Sequence, residues 1–135
     1  MHSRFIAYAS SMLDDDVEAT FSFVIDKSHN IEDYITCVVL MTDACLKKKD
    51  WAQVERIYFN TKNKVLSEQK RLYSQSYLYV LTNLALSAAN LNKYHRAKRL
   101  FQYVNNRINS IDGFKPSVEC MRELNEIAIY LESKS

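Results

Sequence analysis

The sequence predicts an all-α chain of about seven helices arranged as antiparallel pairs, and three observations carry that expectation. One Gly and one Pro in 135 residues leave almost none of the residues that tight sheet turns require, since average usage is roughly 7% and 5%. Apolar side chains recur three and four positions apart, which keeps them on one face of a helix. An internal similarity repeats two helices and the turn between them.

The helix starts follow from Asp, Ser and Asn side chains, which accept hydrogen bonds from the free N–H groups of a first turn, while a Glu or Gln three residues on can reciprocate. A first helix runs from about Ser3 to Leu13. Asp15 with Glu18 opens a second, to about Lys27. The run Asp14-Asp15-Asp16 reads as its cap, because three adjacent residues at a helix start point in different directions and do not converge on a cation. Asn30 opens a third helix to about Lys48, where Lys47, Lys48 and Lys49 suit the dipole and unpaired carbonyls of a C-terminus. Asp50 with Gln53 opens a fourth to about Asn63, and Ser67 opens a fifth that ends near Leu91. The fifth carries Leu72, Tyr73, Tyr77, Val80, Leu81, Leu84 and Ala88 on one face. Asn92 caps a sixth from Lys93 to about Ile111, with Ala97, Leu100, Phe101, Val104 and Ile108 inward. Asp112-Gly113 ends it, since Gly takes the left-handed conformation at little cost. Pro116 suits the first turn of the last helix, which runs to about Glu132.

An apolar fraction of 47% is enough to build the core of one domain. A formal net charge of +2, from 18 basic and 16 acidic residues, gives no electrostatic footprint for DNA, RNA or an anionic membrane, so direct nucleic-acid binding is not expected. No apolar run reaches the roughly 18 residues of a membrane span, and the N-terminus lacks a secretory segment. A soluble, cytoplasmic protein is expected. Cys37, Cys45 and Cys120 are odd in number and widely spaced, without CxxC or an adjacent histidine, and read as reduced core thiols. His2, His29 and His95 have no metal spacing, one Gly makes no phosphate loop, and no nucleophile motif is present. These absences point to binding rather than catalysis, with no cofactor or metal.

The repeat is the stronger signal. Lys49 to Val54 aligns with Asn92 to Ala97, so that Trp51 meets Tyr94 at an offset of 43 residues. The same offset pairs Tyr34 with Tyr77, Val38 with Leu81, Met41 with Leu84, Thr42 with Ala85, Cys45 with Ala88, and Tyr58 with Phe101. Both units fit the tetratricopeptide pattern, with bulky and small residues on the first helix and an Ala-type and aromatic position on the second. A further step lands on Leu124, Ile127, Ala128 and Leu131, a first-helix pattern. The expected fold is thus a tetratricopeptide-like right-handed superhelix in one domain, 1–135, with units at about 31–63 and 70–111 and a half-unit at 116–133.

In such stacks the first helices line a concave groove. The positions off the packing stripe are Thr36, Val39, Leu40 and Asp43 in one unit, and Tyr79, Thr82, Asn83, Leu86 and Asn90 in the other. The Asn83 carboxamide could hold an extended peptide by a donor and an acceptor. Tyr77 falls on the packing stripe. The half-unit offers Leu124, Ile127 and Leu131 for pairing with a second copy. Arg96, Lys98 and Arg99 read as a solvated outer face.

The segment Trp51 to Ser67, through Val54-Glu55, Tyr58, Asn60 and Leu66-Ser67, resembles a stretch in the C-terminal half of the Rgg/GadR/MutR transcriptional regulators, and LTNLALSAANLNKYHRAKRLFQYV resembles their helical repeats. The resemblance implies a cytoplasmic regulatory domain that receives short peptides on a concave face and forms a homodimer through its C-terminal part. Those regulators also carry an N-terminal helix-turn-helix, for which the residues before Asp14 are too few. A tetratricopeptide-like adaptor that docks a protein partner is the alternative.

Overall fold

A computed structural model describes residues 4–13, 15–28, 30–68 and 75–134. These residues form seven α-helices and no strand. They are α1 (Arg4–Leu13), α2 (Val17–Lys27), α3 (Ile31–Lys47), α4 (Trp51–Glu68), α5 (Gln75–Asn90), α6 (Tyr94–Ser110) and α7 (Val118–Lys134). The chain divides into two compact units, Met1–Val80 and Leu81–Ser135, and the division falls inside α5.

In the first unit α3 packs against α1, α2 and α4. Its buried stripe of Tyr34, Ile35, Cys37, Val38, Met41 and Cys45 meets Val54 and Ile57 of α4 and Phe21 and Val24 of α2 in one apolar cluster. Asn30 caps α3 as the sequence predicts, its side chain accepting from the Asp33 N–H at 2.8 Å. The cap of α2 is Asp16 rather than Asp15: its carboxylate accepts from the Ala19 N–H at 3.1 Å. Near the N-terminus the Phe5 ring stacks on Phe23, with centroids 5.2 Å apart. Two buried hydroxyls, Thr42 and Thr61, donate to the carbonyls four residues back, of Val38 and Ile57, which lets polar side chains sit in the core without losing a hydrogen bond.

Helix α4 continues through Ser67, so that residue is not the start of the next helix. The Ser side chain carried a capping signal, but an unbroken helical propensity on both sides outweighs it. Leu72 and Tyr73 lie outside the described residues.

In the second unit α6 packs on α7. Ala88, Ala89 and Ala97 form a small buried cluster against which Tyr130 and Leu131 lie. Alanines there let helix backbones approach closely. Asn92 does not cap α6, since its backbone lies in the left-handed region at φ 59°; the cap residue is Lys93, without a side-chain hydrogen bond. Pro116 likewise stands before α7 rather than in its first turn, and the Ser117 hydroxyl takes the capping role by accepting from the Cys120 N–H at 3.1 Å. α6 is closed not by Gly113 but at Ile111, whose backbone is extended and whose N–H donates to the Ile108 carbonyl at 3.4 Å; Gly113, at φ 75°, lies in the turn that follows, where the Phe114 N–H donates to the Ile111 carbonyl at 3.2 Å.

The 43-residue offset is written into the backbone. Shifting the first residue of α4 by it gives the first residue of α6, and shifting that of α5 gives that of α7. The turns match bond for bond. After α3, Lys49 lies in the left-handed region at φ 58°, the Asp50 N–H donates to the Cys45 carbonyl at 2.9 Å, and the Lys49 N–H donates to Leu46 at 3.0 Å. After α5, Asn92 takes φ 59°, Lys93 donates to Ala88 at 2.8 Å and Asn92 to Ala89 at 3.1 Å. Each is a Schellman closure, which satisfies carbonyls that a helix end would otherwise leave bare. Left-handed backbone costs a non-glycine residue about 1–2 kcal/mol. That both turns accept the cost without Gly reflects the hydrogen bonds they make.

Candidate functional site

The predicted groove positions divide into those the structure leaves accessible and those it buries. On α3, Thr36, Val39, Leu40 and Asp43 are half-buried and recur at three- and four-residue spacing beside the buried stripe. The Thr36 hydroxyl donates to the Glu32 carbonyl at 2.9 Å. Leu40 and Asp43 join Leu13 of α1, Ala44 and Lys47 of α3, and its C-cap residue Lys48 around a cavity of about 250 Å³. Leu13, Leu40 and Ala44 supply an apolar floor, Asp43 an anion, and Lys47 and Lys48 two cations. The volume falls below the roughly 300 Å³ at which drug-sized pockets begin. It suits one apolar side chain next to a charged chain end.

A second cavity of about 250 Å³ lies between the start of α2 and the α3–α4 turn, lined by Asp15, Asp16, Val17, Glu18, Cys45, Lys48, Asp50 and Gln53. Three of its four carboxylates are engaged elsewhere. Asp16 caps α2, Asp50 accepts from the Gln53 N–H at 3.3 Å, and Glu18 pairs with Arg56 at 2.7 Å. The Gln53 Nε2 is buried without a hydrogen-bond partner. Burial, with Asp50 adding to it, pushes the Cys45 thiol up to about 11, so at neutral pH the group is a thiol and not a nucleophilic thiolate. No group of three or more His, Cys, Asp or Glu side chains among the described residues could hold a metal ion.

Helix α5 is different. Residues 80–89 are buried without interruption, Thr82, Asn83 and Leu86 among them. Asn83 is 2% exposed, so its carboxamide belongs to the interior and does not offer itself to a peptide. The Thr82 hydroxyl lies 3.7 Å from the Cys120 sulfur. Tyr79 is half-buried, and only Asn90 is exposed, its amide donating to the Leu86 carbonyl at 2.9 Å. The sequence already held the reason: LALSAA has no charged residue on any face, and a helix apolar or small all round is an interior one.

On α7, Leu124 and Ile127 are buried by the chain itself, and Leu131 packs against the alanine cluster. The accessible apolar side chains are others, Val118 at 86%, Met121 at 53% and Ile129 at 59% exposure. Steps of three, four and four through Val118, Met121, Asn125 and Ile129 place them on one stripe. That spacing was readable in the sequence, but the repeat offset drew attention to the packing positions.

The described residues thus define an all-α chain with two equivalent helix turns, an accessible α3 cavity and an apolar outer stripe on α7. No helix among them is long and apolar enough to cross a membrane. No family model, curated protein or solved structure matches the chain.

Proposed function

We propose that this chain is a non-catalytic regulatory domain that binds a short peptide, in the manner of the peptide-sensing part of the Rgg-type regulators its sequence resembles. The observation that carries the reading is the α3 cavity, where an apolar floor of Leu13, Leu40 and Ala44 stands beside Lys47 and Lys48. A peptide would seat an apolar side chain on the floor and its carboxylate near the lysines, where charge-assisted hydrogen bonds are available. Calorimetry against a pool of short apolar peptides is expected to show saturable binding. Leu40→Asp and Lys47→Glu should each weaken it about tenfold, the loss expected of one buried apolar contact or one charged contact. Binding that ignores both substitutions, or no binding at all, would remove the proposal. Asn83→Ala is not a useful probe, because the residue is interior.

The α7 stripe favours a second reading, an adaptor that docks protein partners and associates with a second copy. Val118, Met121 and Ile129 leave apolar surface in water, which association would cover. Light scattering is expected to find a dimer that Met121→Asp with Ile129→Asp converts to monomer. A monomer at high concentration in the unaltered protein would sink this reading.

A further inference from the structure

From α6 we infer a binding surface for single-stranded nucleic acid, which goes beyond the peptide-binding reading. The formal charge of +2 is distributed very unevenly: no acidic residue stands between Glu68 and Asp112, whereas Lys93, Arg96, Lys98, Arg99 and Arg107 lie on α6 or at its start. Ala97 and Val104 mark the buried face of α6. Arg99, Tyr103 and Arg107, four residues apart, form a row that spans about 12 Å at the helical rise and runs from the exposed side of α6, at Arg99 and Tyr103, to its half-buried flank at Arg107.

The equivalent helix in the first unit shows what this row lacks. Shifted back by 43 residues, Arg99 falls on Arg56 and Lys98 on Glu55. Arg56 is paired with Glu18 at 2.7 Å. Among the described residues no acidic side chain pairs with Arg99 or Arg107. Arg99 is exposed and Arg107 half-buried, neither in an ion pair among the described residues, and between them Tyr103 is 49% exposed.

Arginine matches phosphate oxygens in two-point geometry, and an exposed aromatic ring between cations gives an unpaired base a surface to stack on. An acidic peptide would use the arginines and leave Tyr103 without a role. A duplex keeps its bases stacked on one another. The row therefore fits a phosphate backbone whose bases are free.

The test is fluorescence anisotropy of the full 135-residue chain with a labelled oligothymidylate, a duplex of the same length, and polyglutamate as competitor, after circular dichroism has confirmed that each variant keeps its helicity. Oligothymidylate is expected to bind more tightly than the duplex and to resist polyglutamate. Tyr103→Ala should weaken binding about tenfold, in the range for loss of one stacked base. Arg99→Gln with Arg107→Gln should reduce the salt slope by about 1.4, the value for two phosphate contacts on a single strand. Failure of oligothymidylate to bind overturns the inference. So does equal affinity for the duplex with no effect of Tyr103→Ala, or displacement by polyglutamate at matched charge, which would assign the row to an acidic protein segment.

Discussion

Tyr34→Ala is expected to lower the unfolding free energy by about 4 kcal/mol, within the range of roughly 3–5 for deleting a buried aromatic side chain. Tyr34 is among the largest fully buried side chains and packs in the cluster that joins α3 to α1, α2 and α4. Its hydroxyl is hydrogen-bonded to the Thr61 side chain, and Thr61 in turn donates to the Ile57 carbonyl. The substitution therefore opens a cavity and removes one partner from an interior chain of hydrogen bonds. Tyr34→Phe separates the two contributions: it keeps the ring, removes the hydroxyl, and should cost only about 1 kcal/mol. Urea titration followed by circular dichroism reads both as shifts in midpoint at constant slope. Equal costs for the two variants would show that the hydroxyl, not the packing of the ring, matters most at this position.

The same residue shows where sequence reasoning reaches. The offset that pairs Tyr34 with Tyr77 also pairs Lys49 with Asn92, and the structure gives those last two residues the same left-handed backbone and the same pair of hydrogen bonds. The helices themselves were legible because they depend on periodic burial, which each residue type signals through its own hydropathy. Caps were legible unevenly: Asn30 was placed on the residue, the cap of α2 only to within one, and Ser67 is no helix start. Asp15 and Asp16 are chemically identical candidates, and only the path of the backbone selects Asp16.

The accessible surface was harder to read. Calling Thr82, Asn83 and Leu86 groove residues assumed that α5 has an open side, and whether it has one depends on every element packed around it. The exposed stripe of α7 and the residues Arg99 and Arg107 of α6 were visible as residue types. Their significance came from what does not cover them: Glu18 engages Arg56, while Arg99 at the equivalent position has no acidic partner among the described residues.

Alkaline pH is expected to destabilise the folded chain by several kcal/mol, through thiols that the fold keeps protonated. Burial, reinforced by Asp33, pushes Cys37 from 9.0 up to about 11, and burial with Asp50 does the same to Cys45. Below the ordinary thiol value both states hold these protons, and the native advantage is fully present. Between 9.0 and about 11 the unfolded chain gives up protons that the folded chain retains, so each rise in pH favours unfolding. At about 1.4 kcal/mol per unit of pKa, the two thiols together account for roughly 5 kcal/mol by the upper end of that window. Cys120 and Tyr34 are also raised by burial and act in the same direction. Urea midpoints measured from pH 8 to about pH 10.5 should fall progressively, before lysine deprotonation dominates. Cys37→Ala with Cys45→Ala should flatten that fall even though it lowers stability at pH 8 by leaving small cavities. The discriminating quantity is the slope against pH and not the midpoint at any one pH. A steep fall that persists in the double alanine variant would assign the alkaline sensitivity to other groups and remove the two core thiols from the account.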